Sequence, residues 1–569
     1  ATMRNANPWL YTDPDNTNSL PVSVLPVGGF YRETKYGMSS YDFRATMTYN
    51  DVYKDDHILN VFGGMELNGT DRSKSWFNGV GMQYDMGMLS NYDYRYFKQG
   101  NEENTAYYTV SRTKSREVSF FGTATYSYQG KYTINGTMRY EGSNKLGRSR
   151  SARWLPTWNV SGAWNMHEES FFESLRPSLS NFTLKASYSL TADRGPVNVT
   201  NSLAVIMGYN PWRPLSSVNE SGLQITDLEN SELTYEKKHE LNIGAEVGFL
   251  ENRINLAVDW YKRNNYDLIG LINTMGVGGQ VSKLANVASM ESHGVEFTLS
   301  TRNISTKNFK WTTDFIFSNA KNKVTELKSD ANVMSMISGS GFALEGNPVR
   351  SLYSLNFQGL NKEGLPTFIN EKGELTVTDI NFQERENKSH LVYEGSTDPT
   401  ITGSFGNIFS YKGFKLNVFM TYSFGNVIRL DPVFHNAYSD LDATPREFKN
   451  RWTVAGDEKI TTVPVIADLR QNTMNSYLNK AYNAYNYSTE RIAKGDFIRM
   501  KEISVTYEFP KTMVSKLSLS NLSLKIQGTN LFLLYADKKL NGQDPEFFNS
   551  GGVAVPVPKQ FTLTLRLGI

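Results

Sequence analysis

The 569-residue chain has no cysteine, which excludes disulfide stapling, thiolate metal sites and thiol catalysis. It has no run of about 18 apolar residues either, and so no transmembrane helix. Charge of one sign is lacking: 59 basic against 57 acidic residues leave a formal +2, with no electrostatic footprint for nucleic acid. Histidine is scarce. His57, His167, His239, His293, His390 and His435 are scattered, with no H-E-x-x-H or paired spacing to hold zinc. G-x-S-x-G does not occur, so hydrolase chemistry has no positive sign. Gly276–Gly279 and Gly339–Gly341 run into no helical pattern and read as loop glycines, not phosphate cradles. Asp13-Pro14-Asp15-Asn16 lacks the distal Glu of a calcium loop and reads as a solvated turn. No enzyme, cofactor or metal is indicated. The chain opens at Ala1-Thr2-Met3-Arg4 without a signal peptide, so for an exported protein the leader is expected to be removed or missing here.

What is present is alternation. In Leu233–Gly270, Leu241, Ile243, Ala245, Val247 and Phe249 share one face, against Asn242, Gly244, Glu246 and Gly248 on the other. After Leu250–Arg253 the pattern resumes with Ile254, Leu256, Val258 and Trp260. Period two on both sides of a tight turn predicts a β-hairpin. With Glu251-Asn252 at the turn, Phe249 faces Ile254, Val247 faces Leu256, Ala245 faces Val258 and Ile243 faces Trp260. A one-residue slip would oppose apolar to polar throughout, so the register is well specified. The apolar face is about nine residues tall, or roughly 20–25 Å on a strand tilted near 40°, close to the lipid-facing band of an outer-membrane barrel. A mean hydropathy of −0.45 suits such a barrel, because only alternate residues meet lipid.

The pattern recurs from end to end. Strands are expected at Tyr41–Tyr49, His57–Leu67, Val118–Tyr128, Tyr132–Tyr140, around Trp158–Trp164 and Phe182–Tyr188, then at Val295–Leu299, Phe309–Phe317, Phe405–Tyr411, Phe414–Tyr422, Ile503–Phe509, Leu522–Ile526 and Phe561–Ile569. Roughly 16–17 candidates can be counted, Gly364–Phe368 being the weakest. Short turns near Gln129, Glu251, Ser305, Gly413 and Lys516 alternate with long polar segments at about Thr70–Thr113, Ala192–Glu232, Thr325–Pro348, Ile428–Asp496 and Tyr535–Pro558. Loops beyond about 12–15 residues need a reason. Short turns on one side and long loops on the other are the outer-membrane barrel arrangement. The expected fold is an all-β, antiparallel transmembrane β-barrel occupying residues 1–569, with long extracellular loops and no second domain.

Several stretches resemble the SusC/RagA family of TonB-dependent outer-membrane transporters. Arg139-Tyr140-Glu141-Gly142-Ser143-Asn144-Lys145-Leu146-Gly147 is similar to that family's R-x-D-G-S-S-x-F-G, with Glu141 in place of Asp. Trp154–Trp158 with Gly162-Ala163-Trp164, and Gly294-Val295-Glu296 with Trp311, follow in order. So do Arg451-Trp452-Thr453, Gly495–Lys501, Asn530-Leu531-Phe532 and Asp544-Pro545-Glu546. Ser189 and Ala192 stand where glycines are usual, and Ile569 replaces a terminal aromatic. The resemblance spans about Arg139 to Ile569. It implies a barrel of about 22 strands holding an N-terminal plug, of which this chain would be the C-terminal part, without the plug and with unpaired edges. It further implies a SusD-like surface lipoprotein as lid, coupling to the TonB complex through the missing N-terminal part, a dimer of transporter–lid pairs, and active import of oligosaccharides or oligopeptides across the outer membrane of a Gram-negative bacterium. The alternative is a passive porin or structural outer-membrane barrel protein.

Aromatics among amides suit stacking on sugar rings or gripping peptide side chains. On that ground Trp76, Tyr92 and Tyr94 in the first long loop, Trp212 in the second, and Tyr482 and Tyr485 in the longest are candidate ligand-binding residues. The competing expectation is that they pack loops against one another or against a partner protein.

Overall fold

A computed structural model describes residues 10–568 apart from 12–15, 17–19, 103–105, 146–152, 194–203, 210–221, 231–232, 274–275, 277–281, 329–330, 339–340, 435–445, 476 and 548–557. One antiparallel sheet dominates. Its long strands, in chain order, are β1 Gly29–Tyr53, β2 His57–Gln83, β3 Tyr108–Tyr128, β4 Tyr132–Ser143, β5 Trp154–Asn165, β6 Leu179–Asp193, β7 Glu236–Phe249, β8 Ile254–Asn273, β9 Ser282–Ser305, β10 Phe309–Leu327, β11 Ile401–Tyr411, β12 Phe414–Phe424, β13 Phe497–Glu508, β14 Asn521–Ala536 and β15 Gln560–Gly568. Each pairs with its neighbours in sequence, and a two-residue strand, Leu89–Ser90, adds to β2. Among the described residues β1 and β15 are the two ends of the sheet and do not pair with each other.

The central hairpin has the expected register: Phe249 opposite Ile254, Val247 opposite Leu256, Ala245 opposite Val258, Ile243 opposite Trp260. Its loop is the whole of Leu250–Arg253, closed by the Arg253 amide donating to the Leu250 carbonyl at 3.2 Å. The turns Gln129-Gly130 and Lys412-Gly413 both have two consecutive residues at positive φ. That twist matches the flanking strands and makes tight hairpins.

Register carries the pattern around the wall. One cross-strand row reads Phe182, Val247, Leu256, Leu299, Phe315, Phe405, Met420, Met500 from β6 to β13. The row beside it, on the other face, reads Thr183, Glu246, Ala257, Thr298, Ile316, Ser404, Thr421, Arg499. An unbroken apolar row on one face and a largely polar row on the other fit a sheet with lipid outside and water inside. Ile243 and Trp260 are 49% and 37% exposed, not buried in a protein interior. No helix among the described residues is long and apolar enough to cross a membrane.

Two expectations about the connections are corrected. β1 and β2 span 25 and 27 residues, far more than the 9–11 or so that cross a bilayer, so much of Thr70–Thr113 is strand. Beyond the lipid no greasy alternation is required, which is why Thr70–Lys74 gave no signal. In their described residues, the connections 328–400 and 425–496 are not open loops either. They fold together over one end of the sheet into a cap with its own core, including Val333, Ile337, Tyr353, Leu355, Phe368, Val433, Phe448 and Tyr485. The weakest strand candidate, Gly364–Phe368, belongs here: Pro366–Ile369 pairs with Phe357–Leu360 and Leu375–Thr376, apart from the wall. A parallel bridge from Leu355 to Ser488 joins the two connections.

Candidate functional site

The site is where the lumenal face meets the cap. β13 supplies Arg499, whose side chain is only 5% exposed. Its Nη2 donates to Asp544, and its Nε lies 3.0 Å from the Glu546 carboxylate. A guanidinium buried at this depth is tolerable only because two carboxylates face it. The pairing joins two stretches that stand apart in sequence, Gly495–Lys501 and Asp544–Glu546, and ties the last long connection to the wall. Around it the local geometry is tight. A Cβ at Gly495 would sit 2.1 Å from Asn426 Nδ2, and Asp496 accepts the Gly425 amide at 2.7 Å. Asn530, at φ +53°, sits where the β13–β14 register shifts between Met500 and Glu502.

Beside this triad lies a cavity of about 570 Å³, lined by Thr402, Thr421 and Phe497 of the wall and by Arg350, Arg429 and Glu546 among others. Arg429 Nη2 donates to the Tyr353 carbonyl at 2.6 Å, while its Nε and Nη1 are buried without a hydrogen-bond partner. Burial pulls its guanidinium down, partly offset by Glu394. Burial correspondingly raises Glu394. A second cavity of about 620 Å³ lies within the cap, lined by Glu447, Arg451, Thr461, Tyr485, Glu490 and Arg491 among others. Arg491 is 4% exposed and pairs with Glu447 at 3.1 Å.

On the same face but many strands away, on β4, Arg139 is held by Glu141 at 2.7 Å and by Glu66 at 3.4 Å. The Glu at position 141 thus keeps an ion pair with the motif's arginine. Trp452 donates to Glu458 at 3.1 Å and lies flat against Gly364, where a Cβ would come within 2.4 Å of the indole.

The aromatic candidates are not brought together. Trp76 is on β2, between Thr34 and Thr109, not in a loop. Tyr92 and Tyr94 are 72% and 76% exposed, with Tyr94 opening the helix Tyr94–Glu102. Trp212 lies outside the described residues. Tyr485 is fully buried, edge-on to Phe357 and Phe434, and is core of the cap at the margin of the second cavity. Tyr482 packs on Phe434 at 4.5 Å and donates to the Val465 carbonyl at 2.8 Å. For these two, packing is what the structure shows. The spacing of Tyr482 and Tyr485 on one face of Leu478–Asn486 was a helix-core signal. Arg499 falls within the motif stretch Gly495–Lys501, but neither its burial nor that of Arg429 and Arg491 is legible in the sequence, since nothing local marks an arginine as buried.

TonB-dependent receptor P3 of Formosa agariphila is 26% identical to this chain over 445 residues, 75% of this chain and 42% of that protein. TonB-dependent receptor SusC of Bacteroides thetaiotaomicron is 23% identical over 495 residues, 82% of this chain and 44% of that protein. The structure of the RagAB peptide transporter superposes with a TM-score of 0.75 at 22% identity, covering 95% of this chain and 56% of that one, which shows a shared fold. The chain spans about half the length of the relatives it matches. The family model described as "TonB dependent receptor-like, beta-barrel" matches residues 4–443, and the chain therefore belongs to that family of outer-membrane barrels, which are not enzymes.

Proposed function

We propose that this chain is the barrel portion of a TonB-dependent active importer that moves oligosaccharides or oligopeptides across the outer membrane together with a SusD-like lid lipoprotein. The observation that carries it is the folded cap seated on the wall, where Asn322 accepts the Val349 amide, with the last connection pinned beside it to the lumenal face through Arg499 and cavities at the junction. A passive pore has no use for an ordered, ion-paired body over its mouth, whereas a binding device needs a pre-organised one. In this reading the barrel performs no bond chemistry. Ligand is held at the cap and lumen, and a plug outside this chain is displaced when TonB supplies energy from the inner membrane. Tyr92 and Tyr94, exposed above the β2–β3 junction, are proposed contacts for ligand or lid.

The test uses the full-length protein in its native outer membrane. Uptake of a labelled oligosaccharide or oligopeptide should stop when the proton-motive force is collapsed and should require the co-purifying lipoprotein. Uptake that continues unchanged after collapse would establish the passive porin instead.

A further inference from the structure

The outer face of the wall carries a feature that transport does not use. Above the apolar band, on the side of the long connections, the cross-strand row from β6 to β10 reads Tyr188, Leu241, Lys262, His293, Lys321. The row beyond it reads Leu190, His239, Asn264, Glu291, Lys323. Both rows share the parity of Trp260 and Val295, the outward residues immediately below. The opposite parity turns inward: Asn322 accepts the Val349 amide of the cap, and Val324 is buried. Lys262, His293, Lys321 and Lys323 are therefore neighbours on the outside of the wall, and all four are exposed.

Such a row is unfavourable on its own. Lys321 and Lys323 are two residues apart on one strand, about 7 Å, and Lys262 stands two strands away across His293, about 10 Å, so three lysine charges share one patch. Among the described residues none of the four basic groups pairs with a carboxylate. Glu291 is the acid in the patch, opposite Lys323 in register, without coming to ion-pair distance of it. A lone rim lysine reaches water by snorkelling. A block on three consecutive strands keeps its lysines within a Debye length of one another even when each reaches water. The level is fixed independently by aromatic rings: Tyr188 and His239 stack at 5.7 Å, His239 and Tyr266 at 5.7 Å, and Trp158 meets Tyr188 at 5.5 Å. A girdle of this kind marks the membrane–water interface.

We propose that Lys262, His293, Lys321 and Lys323 form a binding site for the phosphorylated headgroup of an outer-leaflet lipid. The headgroup phosphates would sit over the basic row while the acyl chains lie along Trp260, Val295 and Ile243 below. Charge complementarity and the depth of the patch select this occupant. The site rests on the membrane-barrel fold and not on the import reading, so failure of import leaves it untouched.

The experiment titrates the full-length protein, in a neutral detergent, with a bis-phosphorylated glycolipid, with its dephosphorylated form and with inorganic phosphate, reading occupancy by native mass spectrometry. Only the phosphorylated lipid should bind. Removing the lysine charges in K262Q/K321Q/K323Q should weaken it by roughly fivefold per residue, on the order of a hundredfold in all. Lys307→Gln, in a turn at the opposite rim, should change nothing. Glu291→Gln should strengthen binding and reads the site without removing a lysine, should the triple variant fail to assemble. Undiminished lipid binding in the triple variant, unchanged binding in Glu291→Gln, equal binding of the dephosphorylated lipid, or inorganic phosphate binding as tightly as the lipid would each overturn the proposal.

Discussion

Val258 offers the sharpest test of which side of this sheet meets lipid. It lies midway along the apolar stretch from Ile254 to the rim residue Lys262, opposite Ala245 on β7 and Phe297 on β9. Arginine there puts a guanidinium near the middle of the hydrocarbon layer. In barrels of this kind that costs about 2–4 kcal/mol, falling to about 0–1 kcal/mol near the interfaces. The expected effect of Val258→Arg is thus a shift of roughly 30- to 1000-fold in the folded-to-unfolded ratio, at about 1.4 kcal/mol per tenfold. Ala257 is the control. Its partners Glu246 and Thr298 share the lumenal row, so Ala257→Arg places the same charge beside a carboxylate and should cost less than about 1 kcal/mol. Denaturant titration of the full-length protein in lipid bilayers, followed by tryptophan fluorescence, measures both. Equal costs, or a larger one for Ala257→Arg, would show that the apolar row does not face lipid.

Arg499→Met leaves Asp544 and Glu546 without their partner, a loss of about 3–5 kcal/mol for a broken buried pair. It should appear as faster hydrogen exchange across residues 537–547 with the rest of the wall unchanged. Tyr485 has a buried hydroxyl with no hydrogen-bond partner, so Tyr485→Phe should leave cap stability and ligand affinity alone. Tyr485→Ala should cost about 3–5 kcal/mol, as for a large core aromatic, seen as cap proteolysis. A ligand role would instead make Tyr485→Phe lose affinity. Burial raises the Glu394 carboxyl, so the folded cap holds its proton more tightly than the unfolded chain does. That contribution favours the cap below the ordinary carboxylate range and is lost as pH rises toward the raised value. Glu394→Gln should remove this component, and the pH dependence of cap exchange should differ from the parent only across that window.

The wall was legible in the sequence, and the cap was not. Ile243 to Phe249 and Ile254 to Trp260 carry their register in the side-chain alternation, because a strand between lipid and water has one greasy and one polar face and tolerates no slip. That constraint acts residue by residue, so the chain states it locally. It ends where the lipid ends, which is why the upper half of β2, from Thr70, reads as a polar segment. The cap obeys a different rule. Phe368 and Tyr485 are separated by more than a hundred residues, and so are Leu355 and Ser488, yet each pair is brought into one body. Arg499 likewise meets Asp544 only after the chain has run down β13 and back along the antiparallel β14. The amino-acid order alone determined a lipid-facing antiparallel wall with unequal connections. Which charges are buried, which tyrosines are core and which lysines share a row were decided by strand pairing and by packing between distant segments, since burial and opposition are properties of neighbours in space.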